Sequence, residues 1–304
     1  MFRICIAGHG RWGRVYYDTI ERLENCLVDC VILNRESESR HQDIGAPVFY
    51  DIEQALAERI IDGVVIATPP STHLKLASAC LNSGIPVLVE KPFTANYLEA
   101  VALNEISKKK NIFCMAGHQH LHSKGYQTLK EGLARIEKGG FVYSEGIGSG
   151  PFRKNVTVFR DWGSHEFAIA LDLFNEIPCS YIVRRIAGND NDTLRATYLM
   201  KLNFSAGRIY CAVFGNTSDV KRRTLTLTHE GGWRHINGLD QGGCVVIEDE
   251  DLPKPETVLS ADALPVDLML KSFIMHAERK IYTGKFLDVA IETARLIDEI
   301  EPKL

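Results

Sequence analysis

The sequence predicts an α/β chain of two domains. Residues 1–118 read as a doubly wound parallel sheet, and residues 119–304 as an α+β domain with a large, open, mostly antiparallel sheet. Three observations lead there. Through residue 118, short apolar runs alternate with helix-length stretches, the pattern of a parallel sheet covered on both faces. A glycine-punctuated stretch, "IAGHGRWG" at 6–13, joins the first apolar run to the first helix. Past His118, runs of period-two alternation are separated by short turn-rich links, as antiparallel strands require.

Element by element, "FRICIA" is the first strand and 15–23 the helix that follows the glycines. "LVDCVIL" is the second strand, "PVFY" a third, and a helix runs from about Asp51 to Arg59. "DGVVIAT" is a buried strand, and the helix "HLKLASACLNSG" stops at Gly84 in the manner of a C-cap. "IPVLVE", "NYLEAVALNEISKKK" and "IFCMAGH" complete the first domain as strand, helix and strand. A helix over 123–137 opens the second domain. Its strands are "FVYSEGIG", "SYIVRRIAG", "LRATYLMKLNFS", "RIYCAVFG" and "RTLTLTHEGG". A helix holding Asp161–Phe174 interrupts them, and two helices near 266–281 and 286–300 close the chain.

Bulk properties exclude several classes. A net charge of −4 with no basic block beyond Lys108–Lys110 argues against a nucleic acid or an anionic membrane as partner. The apolar runs are strand-sized, too short to span a bilayer. No basic or apolar leader precedes the first strand, so a cytoplasmic location is expected. The eight cysteines form no C-x-x-C pair and no dense framework, which fits a reducing compartment.

Gly8, Gly10 and Gly13 have the G-x-G-x-x-G spacing, after a strand and before a helix. Gly8 permits the tight turn, Gly10 lets backbone approach a pyrophosphate, and Gly13 lets helix and strand pack closely. The helix N-terminus supplies free N–H groups to the phosphates. A dinucleotide-binding Rossmann domain follows, although a purely structural turn carries the same glycines. Arg11 and Trp12 are candidates to lie over the pyrophosphate or adenine. At the end of the second strand Asn34 stands where NAD-preferring domains carry an acid. Its neutrality removes repulsion of a 2′-phosphate, and Arg35, with Arg40, is placed to pair with one. NADP is therefore slightly favoured over NAD.

With "GHGRWG", "VVIATPPSTH", "GIPVLVEKP", "DWGSHEF" and "LTLTHEGGW", the sequence resembles the Gfo/Idh/MocA family of oxidoreductases over nearly its whole length. The resemblance implies that Lys91, the lysine of E-K-P, reaches the substrate oxygen, with Glu90 and Pro92 holding it; Glu90 counts among the cofactor-side residues. It places a catalytic pair on Asp161 and His165 of the D-x-G-x-H stretch. In a helix these two share one face, and His165 suits general acid–base work. A capping Asp161 beside a gap-filling His165 explains the same spacing. Many relatives carry Asp where this chain has Ala168. Thr68, Pro69 and His73 match the stretch beside the nicotinamide ribose, although a helix start capped by Ser71 or Thr72 accounts for them too.

His118, His120 and His122 alternate and would share one face of an extended strand. The family works without metal, so they are expected as substrate contacts, with no metal site. His120 and His122 replace an Arg-Phe pair common in relatives. The resemblance implies hydride transfer with a carbohydrate-like substrate such as a sugar, sugar nucleotide or polyol. It also implies a homo-oligomer, dimer or tetramer, through the open sheet face. The alternatives are a dinucleotide-binding sensor or scaffold, an imine reductase on the same framework, and a methyltransferase.

Overall fold

The computed structural model describes residues 1–34, 44–134, 139–150, 153, 156–189, 192–241, 244–249, 256–259, 263–281 and 284–304. Backbone contacts divide the chain into two units. One is Met1–Gly117 with Met269–Ala294; the other is His118–Leu268 with Arg295–Leu304.

In the first unit the strands are β1 (Phe2–Ala7), β2 (Cys26–Ile32), β3 (Val48–Phe49), β4 (Gly63–Ile66), β5 (Val87–Glu90) and β6 (Cys114–Gly117). They form one sheet in the order β3-β2-β1-β4-β5-β6, parallel at every pairing. The helices between them are α1 (Arg11–Arg22), α2 (Ile52–Glu58), α3 (His73–Asn82) and α4 (Tyr97–Lys110). The order reverses between β1 and β4, the switch point outside which ligands of such sheets bind. Local signals set the helix ends. Asp51 caps α2 and Asn96 caps α4, and Asn111 leaves α4 in a left-handed turn. The inner strands are mostly apolar because both their faces are buried; Val64, Val65 and Ile66 of β4 are all 0% exposed.

Buried Asp29 in β2 bonds Arg3 and Arg59, the latter at 2.8 Å. Burial pushes its carboxyl up, but the bonds from the two arginines outweigh this and hold it below its ordinary value. The thiols of Cys5, Cys30, Cys80 and Cys114 are buried in the same core. Burial pushes Cys80 up to about 12, so it packs as an inert hydrophobe.

Residues 269–294, read from the sequence as part of the second domain, lie in the first unit. Two long helices, α7 (Pro265–Glu278) and α8 (Lys285–Ile300), carry them. Phe273 of α7 packs edge-on to Phe2 and stacks with Phe113. Leu287, Ala290 and Ala294 of α8 join the core formed by the sheet and α3. Apolar periodicity marks these helices as half-buried without saying against which sheet.

The second unit holds α5 (Lys124–Leu133), β7 (Phe141–Ile147), α6 (Val158–Phe174), β8 (Ser180–Gly188), β9 (Ala196–Asn203), β10 (Ile209–Gly215), β11 (Arg222–His229), β12 (Gly232–Asn237), β13 (Cys244–Asp249) and β14 (Glu256–Leu259). The sheet order is β14-β13-β12-β11-β7-β10-β9-β8. Only β7–β10 is parallel among the described pairings. The expected mostly antiparallel sheet is thus extended by three strands, β12 to β14, that the alternation did not reveal. On one face Phe159 of α6 packs against Tyr198 and Phe214. On the other, Ile182 and Leu199 are 53% and 39% exposed.

Candidate functional site

The three glycines do three different things. Gly8 has φ +93°, and a Cβ there would stand 2.8 Å from the Ala67 carbonyl oxygen. A Cβ on Gly13 would fall on the Gly8 carbonyl oxygen, far inside contact distance. Gly10 is exposed, and a Cβ on it would meet nothing within 4 Å. It is the N-cap of α1 and offers no side chain to cap the first turn. The helix therefore begins with open N–H donors beside unobstructed space, at the C-terminal end of β1 next to the switch point. These residues fit a dinucleotide pyrophosphate.

Arg11 is exposed and Trp12 half-buried on the first turn, the Trp12 ring 6.0 Å from that of Tyr16. Asn34 is exposed just past β2. Arg35 and Arg40 lie outside the described residues.

Past β4, Thr68 is half-buried and Pro69 exposed. The Thr72 hydroxyl bonds the Thr68 hydroxyl at 2.7 Å and the Pro69 carbonyl at 2.8 Å. Thr72 holds the N-cap position of α3 but makes no side-chain cap bond, its hydroxyl being turned back to that loop. Two residues expected at the cofactor, His73 and Glu90, are buried and hydrogen-bonded within the protein. His73 is 0% exposed, with Nε2 2.8 Å from the Thr68 carbonyl oxygen and Nδ1 3.1 Å from that of Phe93. It sits between the loop after β4 and the loop after β5, and as a neutral ring it donates to one of the two carbonyls at a time. Glu90 is buried and accepts a 2.6 Å bond from the Tyr16 hydroxyl. Gly117, its neighbour across β6, has no side chain because a Cβ would lie 2.9 Å from Glu90 Oε2. Lys91, next in sequence, is only 6% exposed.

Burial holds the His73 imidazole below its ordinary value of 6.5, outweighing carbonyl bonds that favour the charged form. It is neutral when folded and charged when unfolded just below that pH, so unfolding takes up a proton. The stability tied to it is fully present above pH 6.5 and drains as pH falls toward the folded value. In thermal melts between about pH 7 and 5, His73→Gln is expected to lose melting temperature less steeply than wild type. Parallel slopes would place the acid sensitivity elsewhere.

In the second unit, Thr157 caps α6 by accepting from the Arg160 N–H at 3.2 Å. That removes the capping explanation for Asp161. Asp161 and His165 lie within α6, one turn apart on one face. Asp161 is buried and pairs with Arg153 at 3.4 Å. Ala168 is buried in the same helix. Gln119–His122 form a 3₁₀ turn after His118, so the three histidines do not share a strand face as alternation suggested. His118 and His120 are buried, and the His120 ring lies 4.5 Å from that of His165. Among the described residues, no three His, Cys, Asp or Glu side chains come together as a metal ligand set.

Sequence reasoning missed Tyr16, Arg153, Glu166 and Arg223. Glu166 accepts a 2.7 Å bond from Tyr210, and burial pushes its carboxyl up against that bond and one from Ser144. The Arg223 guanidinium lies 4.2 Å over the Trp162 ring. Trp162, Glu166, Arg223, His120 and His165 line one small cavity of this unit. Only the "DWGSHEF" neighbourhood pointed that way, and it does not say which side chains turn inward.

Solved structures share this fold. A Magnetospirillum magnetotacticum MS-1 crystal structure is 25% identical, with a TM-score of 0.83 over 98% of each chain. UDP-N-acetylglucosamine 3-dehydrogenase from Acidithiobacillus ferrooxidans is 27% identical over 66% of this chain and 63% of its own length. Its crystal structure superposes with a TM-score of 0.82 at 19% identity, over 98% of this chain and 96% of that one. 4-Carboxy-2-hydroxymuconate-6-semialdehyde dehydrogenase from Sphingobium sp. (strain NBRC 103272 / SYK-6) is 27% identical over 42% of this chain. That match spans 41% of the relative's length. No described helix is long and apolar enough to cross a membrane. The Gfo/Idh/MocA model, described as an oxidoreductase family with an NAD-binding Rossmann fold, matches residues 2–118 of this chain.

Proposed function

We propose that this chain transfers hydride between a nicotinamide dinucleotide and a carbinol or carbonyl carbon of a sugar, sugar-nucleotide or polyol-like substrate. The observation that carries the reading is the uncapped N-terminus of α1 behind Gly10, framed by Gly8 and Gly13. The nicotinamide, when bound, supplies the C4 that takes or gives the hydride. The chain's own residues manage charge and proton. Lys91, at the C-terminal end of β5, stabilises negative charge on the substrate oxygen. His165 takes the hydroxyl proton during oxidation and returns it during reduction. Asp161 orients it or a substrate hydroxyl. The roles belong to separate units, and each can be tested alone. Asn34 leaves a 2′-phosphate without a facing carboxylate, which supports NADP over NAD.

The test is an absorbance assay at the nicotinamide band, with purified protein, a metabolite extract and NAD or NADP in turn. Mass spectrometry then identifies what is consumed. Turnover of a polyol-like compound, faster with NADP, is expected. Tight dinucleotide binding without turnover of any extract component or of a panel of sugars, polyols and imines would turn the reading toward a sensor. Turnover confined to the imines would reassign it to C=N reduction.

A further inference from the structure

We propose that a one-oxygen cavity between Arg223 and Glu166 is a subsite for a neutral hydroxyl group, and that the substrate carries this hydroxyl beside the one that reacts. The proposal deepens the function above and rests on it for the reacting hydroxyl. The subsite itself stands on the second unit alone.

Arg223 on β11 and Gly146 on β7 are partners in register. Helix α6 brings Glu166 to the same spot: a Cβ on Gly146 would collide with Glu166 Oε1 and lie 3.5 Å from Arg223 Nη1. With no side chain there, carboxylate and guanidinium stand near one another, yet no ion pair joins them among the described residues. Glu166 Oε2 accepts from the Tyr210 hydroxyl at 2.7 Å. Oε1, on the Gly146 side, has lone pairs for the Ser144 hydroxyl and for one more donor. Arg223 Nη1 donates to the carbonyls of Ile147 at 3.4 Å and Arg222 at 3.1 Å. Its Nε and Nη2 donors have no protein acceptor among the described residues. The guanidinium lies 4.2 Å over the Trp162 ring, which holds the fork in one plane.

Together with Trp162, His165, Ser144 and Leu239, these two groups line a cavity of about 10 Å³, room for one water-sized oxygen. Ser144, Glu166 and Leu239 are buried, whereas Trp162, His165 and Arg223 are half-buried, so the mouth is on the side of the latter three. A carboxylate or phosphate is too large for this space. The charges disfavour one as well. Arg223 is faced by Glu166, Asp240 and Asp161, of which Asp240 also pairs with Lys221 and Asp161 with Arg153. An anion would meet the Glu166 carboxylate head-on, where the arginine charge is already answered.

A hydroxyl carries one donor and two acceptor lone pairs. It accepts from the guanidinium and donates to Oε1. Burial pushes the Glu166 carboxyl up, and a hydroxyl serves the acid form too, by accepting from it. His165 lines the same cavity, so the hydroxyl whose proton it takes belongs to a neighbouring carbon. The substrate this fits is a neutral vicinal diol.

The test is a tryptophan-fluorescence titration of the full chain with saturating NADP, using myo-inositol, acetate and inorganic phosphate as probes. Myo-inositol is neutral and has a hydroxyl on every carbon. Trp162→Phe assigns the signal to the ring under Arg223. Myo-inositol is expected to give a saturable change and the two anions none. Gly146→Ala, which fills the gap, should weaken myo-inositol at least about tenfold while dinucleotide affinity is kept. Arg223→Lys keeps the charge without the fork and should weaken it similarly. It also serves if Gly146→Ala melts early, with thermal melts as the control. Saturation by acetate or phosphate but not by myo-inositol would make this an anion site and overturn the proposal. A chain that none of the three saturates would have a cavity for water alone, which overturns it equally. Myo-inositol binding unchanged in both variants would place the polyol elsewhere.

On the identified substrate, the same variants should raise its KM and leave KM for the dinucleotide in place. The binding titration needs no turnover. Myo-inositol seated at the gap of a chain that oxidises nothing would refute the hydride reading and leave the subsite standing. Turnover with a substrate KM that neither variant moves would do the opposite.

Discussion

Gly13→Ala is expected to lower the melting temperature of the protein by about 6–12 °C, while Gly10→Ala leaves it within about 2 °C. Both changes add one methyl to the same loop, and the difference lies in what each methyl meets. At Gly13 it meets the Gly8 carbonyl, backbone against backbone, where no rotamer can yield. Gly8 cannot withdraw, because its N–H donates to the Ile32 carbonyl at 2.8 Å and its far side lies against Ala67. Overpacking of this kind costs about 3 kcal/mol, a large part of the 5–15 kcal/mol typical of a folded domain. At Gly10 the methyl meets open space, and φ of −74° suits alanine. Yet that space lies at the uncapped end of α1, where a pyrophosphate would sit. Gly10→Ala should therefore fold normally and bind dinucleotide at least about tenfold more weakly. Differential scanning fluorimetry and a fluorescence titration read the two effects separately. A Gly13→Ala protein as stable as wild type would contradict the close helix–strand packing, and a Gly10→Ala protein of unchanged affinity would remove the cradle.

That contrast shows what a sequence can and cannot say about a site. The spacing of Gly8, Gly10 and Gly13 was legible, because only glycine serves a positive φ, a close backbone approach and an open helix start. The inner parallel strands were legible for a similar reason: both faces are buried, so apolar runs stand out between helices. The direction a polar side chain takes was not. "PPSTH" and "VEKP" mark His73 and Glu90 as special, but nothing in the letters shows that one sits between two loop carbonyls and the other lies against Tyr16. Strands β12 to β14 were hidden for another reason. They are four to six residues long and carry charged or polar side chains at positions where alternation would need apolar ones. His120 beside His165 is a contact between a turn and a helix 45 positions apart in the chain, which no local pattern encodes.

Lys91→Met is expected to lower kcat by about 10²–10³ while dinucleotide affinity stays within about threefold and the fold is retained. The side chain is 6% exposed, and Pro92, Phe93 and Thr94 after it are buried too. Methionine matches lysine in length without its charge, so the substitution removes an ammonium and keeps the packing. If that ammonium stabilises negative charge on the substrate oxygen, its loss falls on the transition state and appears in kcat. If it only anchors the cofactor, the loss appears in affinity and kcat survives. Lys91→Arg separates charge from shape. It keeps the positive charge but carries a planar fork into a strand end with no slack, and a further loss of at least about tenfold against wild type is expected. Recovery of full activity by arginine would mean that any cation there suffices. An unimpaired Lys91→Met enzyme would take Lys91 out of the chemistry and leave it a buried strand-end residue, with Glu90 and Tyr16 beside it serving the fold alone.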